Sequence, residues 1–306
     1  MKLFRKIQVW IESQPYERKV QVGLGLVFLS SLLFAWSNLF VKQATEELSP
    51  FVVAFWRGAV GLIMILLLSR FRMQKLLGVN KPMLILRGVA GTLALMLFFS
   101  SVKHASLSNA VGLFNTYPLF TTLLGVLFFR EGWRRVYVFA LLCSLGGVWL
   151  IIRPDMGFIG NGEILSLISV FFVGWVINLV RYLRTSDSVF SIIFYFMLAT
   201  SIISFFPAGA RGIAHSLSLW PWLFLVGFLT TLAQLLMTAG YTYCTAAGGS
   251  IVSLLGLPLT FVLSNAFLDE ELGIFLIAGA CLILFSGYLI AFAKRTPAVS
   301  SGVHMG

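Results

Sequence analysis

Charge is scarce in this 306-residue chain, and negative charge is the scarcer sign: 11 Asp and Glu against 22 Lys and Arg. Charged residues make up 11% of the sequence, where soluble domains carry roughly 25%. With 59% apolar residues and 29 phenylalanines, no soluble core of this size would absorb the apolar surface, so a soluble globular domain is excluded and a polytopic membrane protein is expected. The few carboxylates stand at the ends of apolar runs or between them: Glu46, Glu47, Glu131, Asp155, Glu163, Asp187, Asp269, Glu270 and Glu271, with Glu12 and Glu17 in the leader. None lies in the middle of a run, which disfavours proton coupling through a membrane-embedded acid. Glu163, at the start of its run, is the nearest candidate for such an acid, and reads more readily as one complementing a helix N-terminus.

Cysteine and histidine are as sparse, at three each. Cys143, Cys244 and Cys281 form no CxxC pair, and His104, His215 and His304 have no partner at ligand spacing. No metal site and no cofactor is expected. Buried His pairs, paired Asp and a Ser–Lys dyad at helical spacing are also absent, which argues against an intramembrane enzyme. A pore-lining ring motif is missing too, which argues against a channel.

What the chain does have is long apolar runs. Ten membrane spans are expected, at roughly 20–41, 50–69, 82–102, 108–129, 135–152, 162–181, 187–207, 219–241, 247–268 and 272–293. The connections are short, so the spans form antiparallel neighbours in one bundle. The excess of positive charge is assigned to the positive-inside rule rather than to nucleic acid, and no nucleic-acid partner is expected. With both termini cytoplasmic, seventeen Lys and Arg (Arg87 among them) fall inside, and only Lys42, Lys103, Arg153 and Arg211 outside. The partners implied are the lipid bilayer and a small polar metabolite; oligomeric state is not encoded legibly. Residues 1–19 form a basic leader, in which Leu3, Phe4, Ile7, Trp10 and Ile11 share one helical face. That pattern fits either an interfacial helix or a disordered leader. Residues 295–306 read as a flexible tail.

The stretch Ala105 to Glu131 returns, changed, about 140 residues later as Thr245 to Glu271. Pro118 aligns with Pro258, Leu119 with Leu259 and Glu131 with Glu271; Phe55-Trp56 aligns with Phe194-Tyr195, and Gly147 with Gly287. The chain therefore divides into two five-span halves, 20–153 and 160–294. Because five is odd, the second half enters the membrane in the opposite sense. Such inverted repeats typically place a substrate site near the midplane between them.

The pattern A-x-x-x-x-A, then P-L, then E is filled by Ala105, Ala110, Pro118, Leu119 and Glu131, and AFWRG (Ala54 to Gly58) opens the second span. Together with the inverted repeat this resembles the EamA-type branch of the drug/metabolite transporter superfamily, over residues 20–294. The Arg87-Gly88 start of the third span also resembles the group that contains S-adenosylmethionine carriers and the solute carrier 35G-type proteins. The resemblance implies a secondary carrier for a small polar metabolite (an amino acid, a nucleotide-like molecule or an S-adenosylmethionine-like one), working by alternating access around a central cavity in a bacterial inner membrane. The alternative is a proton-coupled exporter of cationic drugs or toxic compounds.

Arg57 is the single most informative residue. It lies about seven residues, on the order of 10 Å, into the second span, where a charge costs roughly 2.5–3.5 kcal/mol even on a lenient scale. It is either an anchor for an anionic group or a structural arginine; its counterpart in the second half is Phe196. Thr231, Gln234, Thr238 and Tyr241 form a polar stripe on the eighth span, either a cavity wall or interhelical glue. Asn115 and Tyr117 precede Pro118 in the fourth span, where the counterpart residues Leu255 and Leu257 before Pro258 are apolar. Trp36 with Asn38, and Trp175 with Asn178, stand at related depths in spans one and six, as ligand contacts or as packing. Pro118 and Pro258 read as kinks at gating positions, and Glu131 and Glu271 as span-end residues.

Overall fold

The structure, a computed structural model, describes residues 14–69, 76–129, 135–152, 160–243 and 252–292. The expected leader (to residue 13), Glu131 and the tail lie outside the described residues. All regular structure among the described residues is helical: α1 Tyr16–Glu47, α2 Pro50–Ser69, α3 Lys81–His104, α4 Leu107–Phe114, α5 Tyr117–Phe129, α6 Arg135–Ile152, α7 Asn161–Leu183, α8 Val189–His215, a 3-10 turn Ser216–Leu219, α9 Trp220–Tyr243, α10 Gly256–Leu268 and α11 Ile274–Phe292.

Five stretches are long and apolar enough to cross a membrane: Tyr16–Glu47, Pro50–Ser69, Lys81–His104, Asn161–Val180 and the 55-residue run Val189–Tyr243. The others are shorter, and the expectation of ten even spans needs correction where proline and glycine intervene. The fourth span is broken rather than bent. α4 ends at Phe114, and α5 starts at Tyr117. Pro118 has no N–H for the helical bond to residue 114. The chain closes instead with 3-10-type bonds, from the Thr116 N–H to the Leu113 carbonyl at 3.1 Å and from the Leu119 N–H to the Thr116 carbonyl at 3.0 Å. The ninth span breaks at the related place, a turn at Leu255 dividing residues 252–254 from α10. α8 runs past its expected end at 207 and carries a break at Gly209, whose φ of 68° is a conformation that glycine adopts without strain.

Side chains end the helices where the backbone leaves polar groups over. The Ser106 hydroxyl accepts from the Asn109 N–H at the start of α4, and the Ser188 hydroxyl from the Ser191 N–H at the start of α8, each at 3.1 Å. The Lys42 ammonium donates to the carbonyls of Val102 and Ala105 at the end of α3. Lys103 donates to the Leu48 carbonyl just past α1. Two of the four lysines and arginines assigned to the outer side are thus helix C-terminal caps, satisfying orphan carbonyls.

The main packing partners of each helix lie in the other half. α1 packs on α9, and α7 on α3; α2 packs on α8, and α6 on α11; α1 meets α10, while α7 meets α4 and α5; α3 meets α8, and α2 meets α9. Exchanging the halves (α1 for α7, α2 for α8, α3 for α9, α4–α5 for residues 252–268, α6 for α11) maps this set of pairs onto itself. Hydrogen bonds tie the same interface. Ser108 and Ser264 share a bond at 2.6 Å, Thr92 and Thr200 one at 3.0 Å, and the Ser166 hydroxyl donates to the Ala110 carbonyl at 2.8 Å. At one end of the bundle the Glu270 carboxylate accepts the Leu107 and Ser108 N–H groups, capping α4 from the other half. At the opposite end Asp187 accepts the Val79 and Asn80 N–H groups ahead of α3. Glu163 stands in the first turn of α7, as expected, and accepts from Asn109 at 3.4 Å. Glu271 is exposed, and its neighbour Glu270 makes the inter-half contact.

The α6–α11 crossing is close because glycine meets glycine. A methyl group on Gly147 would lie 2.6 Å from the Gly279 carbonyl oxygen, and one on Gly279 as near the Gly147 carbonyl. Gly147→Val is therefore expected to destabilise the protein by about 1–3 kcal/mol, read as a lower thermal midpoint in detergent. Gly25→Ala, where no described residue lies within 4 Å, should not lower the midpoint.

Candidate functional site

Arg57 and Arg87 meet at the junction of α2, α3 and α8. Arg57 is 4% exposed and Arg87 2%. The Arg57 guanidinium carbon lies 5.3 Å from the centre of the Phe196 ring, and that of Arg87 lies 4.1 Å from the same centre. Arg57 also lies 5.9 Å from the Phe99 ring centre. The residue that replaces Arg57 in the second half is thus the residue it packs against. Among the described residues neither guanidinium has an ion-pair partner, and Nε and Nη1 of each donate no hydrogen bond. Cation–π contact with a desolvated ring offers about 2 kcal/mol, less than the several kcal/mol that burying an ion costs.

Small residues make this junction possible. A methyl on Gly58 of α2 would lie 2.7 Å from the Ser201 backbone nitrogen, and one on Gly88 of α3 would lie 2.8 Å from the Tyr195 carbonyl, so both helices press on the α8 backbone. One turn past Arg87, a methyl on Gly91 would stand 2.8 Å from Arg87 Nη1 and 3.0 Å from the Phe196 ring. The cytoplasmic tally includes Arg87, near the start of the third span; the structure places it inside α3, buried, and removes it from that tally. The signal available in the sequence was its position six residues into a helix bounded by Asn80-Lys81-Pro82.

The polar stripe on α9 connects this junction to a second cluster. Thr231 is fully buried, and its hydroxyl has no hydrogen-bond partner among the described residues. It faces Gly61 of α2, since a methyl there would lie 2.6 Å from its oxygen. Gly61 is one turn along from Arg57, on the same face. Gln234 and Thr238 are buried further along α9, with the Thr238 hydroxyl donating to the Gln234 carbonyl at 2.7 Å. The stripe reaches Tyr241, which hydrogen-bonds Tyr117 on α5. Tyr117 also shares a 2.6 Å bond with Ser253, in the broken segment ahead of α10. The stripe from Thr231 to Tyr241 covers about 15 Å, running from a point opposite Gly61, one turn from Arg57, to the two helix breaks.

The remaining candidates make other contacts. The Asn115 amide donates back to the Val111 carbonyl at 2.7 Å within its own helix. The Asn178 amide donates to the Gly174 carbonyl and, across to α5, to the Thr121 carbonyl, each at 2.9 Å. It holds α7 against the segment that follows Pro118. Trp36 is 39% exposed, in a group of rings with Phe40 and Phe267 contributed by α1 and α10. Asn38 and Trp175 are half-buried. The structure brings none of these five into the arginine–stripe system.

Apolar helices of this length, an internal duplication and polar groups gathered where the halves meet define an integral membrane protein built for passing solutes. The chain belongs to the EamA-like transporter family: the family model matches it twice, over residues 21–153 and 160–292. That family consists of transporters, not enzymes. The chain is 26% identical over 275 residues to the pseudopaline exporter CntI of Pseudomonas aeruginosa, covering 89% of this chain and 97% of that one. It is 25% identical over 284 residues to solute carrier family 35 member G1 of Mus musculus, covering 86% of this chain and 77% of that protein. One solved crystal structure shares the fold, with a TM-score of 0.62 at 17% identity over 89% of this chain and 96% of its own.

The Tyr117–Ser253 bond is expected to couple the two halves energetically. A double-mutant cycle of Tyr117→Phe and Ser253→Ala, read by thermal or denaturant unfolding, should give an interaction of about 0.5–1.5 kcal/mol.

Proposed function

We propose that this chain is a secondary transporter that exports a small polar metabolite bearing an acidic group. It works by alternating access across ten membrane crossings, with both termini cytoplasmic in a bacterial inner membrane. The observation that carries the reading is the buried Arg57, without an ion-pair partner among the described residues, one turn from the α9 stripe that leads to the helix breaks before Pro118 and Pro258. Such breaks free backbone groups that can meet a ligand near the midplane. The likeness to a protein named as an exporter supports the direction. The scarcity of acid groups within the spans supports exchange or uncoupled movement rather than proton coupling. Inter-half bonds at both ends (Glu270 to α4, Asp187 to the start of α3) are contacts that rocking of one half on the other would break and remake.

Proteoliposomes holding the full chain, supplied with radiolabelled amino acids, nucleosides and S-adenosylmethionine with and without a pH gradient, test this. Transport is expected without the gradient; a strict requirement for it would overturn the uncoupled mode. Arg57→Ala should lower transport at least about thirtyfold, the equivalent of ~2 kcal/mol lost with a buried charge contact, while protein abundance stays near normal. Wild-type rates in that variant would remove Arg57 from the mechanism.

A further inference from the structure

Two buried cations stacked against one ring ask for more negative charge than a single acid group brings. Arg57 and Arg87 share the Phe196 ring, so their charges lie within one small molecule's length of each other. They repel, and no described carboxylate answers either of them. Each has Nε and Nη1 buried without a hydrogen bond among the described residues, and a guanidinium can take a carboxylate through two parallel bonds. A monoanion would neutralise one guanidinium and leave the other uncompensated; two acid groups on one molecule neutralise both. The surroundings hold the pair rigidly. Gly91 leaves room for the Arg87 head where any side chain would displace it, and Gly58 and Gly88 fix α2 and α3 against the α8 backbone. A purely structural pair would be expected to bond carbonyls or a carboxylate, and these nitrogens do neither.

We propose that Arg57 and Arg87, flanking Phe196, form a binding site for a small dicarboxylate, one carboxylate to each guanidinium. This rests on the transporter reading, and narrows its substrate from any acidic metabolite to one carrying two acid groups.

The test is thermal unfolding of the purified full chain in neutral detergent, with succinate, acetate or phosphatidylglycerol micelles added at matched ionic strength. Succinate is expected to raise the midpoint saturably, and acetate to leave it unchanged. Without ligand, Arg87→Met is expected to raise the midpoint, because it removes an unanswered charge, and to weaken succinate binding at least about tenfold. Arg87→Lys, which keeps the charge and loses the fork, should retain a weaker succinate response. Equal responses to acetate and succinate would overturn the proposal. So would an Arg87→Met variant that is less stable yet keeps the full succinate response, the behaviour of a structural staple. Stabilisation by phosphatidylglycerol alone would assign the pair to a lipid headgroup, and overturns it as well. A parallel exchange assay with labelled succinate separates the two readings. Arginine-dependent binding without movement upholds the site and defeats the transporter reading. Transport of neutral or zwitterionic solutes, with no arginine-dependent succinate response, does the reverse.

Discussion

Each half of this bundle finds most of its packing in the other: α1 on α9, α7 on α3, α2 on α8, α6 on α11. In a lipid environment the hydrophobic effect does not drive helix to helix, so association depends on close approach and on hydrogen bonds between them. Both are present where the halves meet. Glycine lies against backbone at Gly58, Gly88, Gly147 and Gly279, and hydroxyl pairs join Ser108 to Ser264 and Thr92 to Thr200. The arginine pair packs on Phe196 across the same interface, so the surfaces that hold the two halves together are also those on which the candidate site lies.

The arginine pair is one place where the two halves stop being alike. Exchange of the halves sends Arg57 to Phe196, and the structure puts those two in contact across the α2–α8 crossing, where a helix meets its own counterpart. A symmetric pair of arginines there would repel, and a symmetric pair of phenylalanines would give an apolar crossing. One of each gives a cation on a ring. The second arginine, Arg87, uses the same ring from α3. The asymmetry is local, since the helix breaks before Pro118 and Pro258 remain in both halves.

Much of the architecture was legible in the sequence because lipid makes composition decisive: the apolar runs, the duplication and the two prolines read directly. The breaks themselves were underestimated, because proline reports a lost hydrogen bond but not whether 3-10 bonds at Thr116 will end the helix. The site was half legible. Arg57 stood out by depth within an apolar run, and the α9 stripe by its 3-4-3 spacing. Arg87 did not, because a basic residue near a span end reads as an interfacial charge until a neighbouring helix is seen to cover it. Asn178 and Asn115 show the other side of this reading. Amides inside apolar runs suggest a ligand, yet the nearest unsatisfied groups in a membrane bundle are its own carbonyls, and both amides bond to them.

The covering ring has a consequence for how the protein is made. Arg57 and Arg87 belong to the half synthesised first, while Phe196 belongs to the half synthesised second. Chains emerge from their amino end, so both guanidiniums reach the bilayer before the ring they share exists, with only Phe99 beside Arg57 in the first half. The nascent first half must keep those heads at the headgroup level or in the insertion machinery's aqueous interior until α8 arrives. Its burial is then a late event, and maturation of the bundle is complete only when the second half has closed over the first.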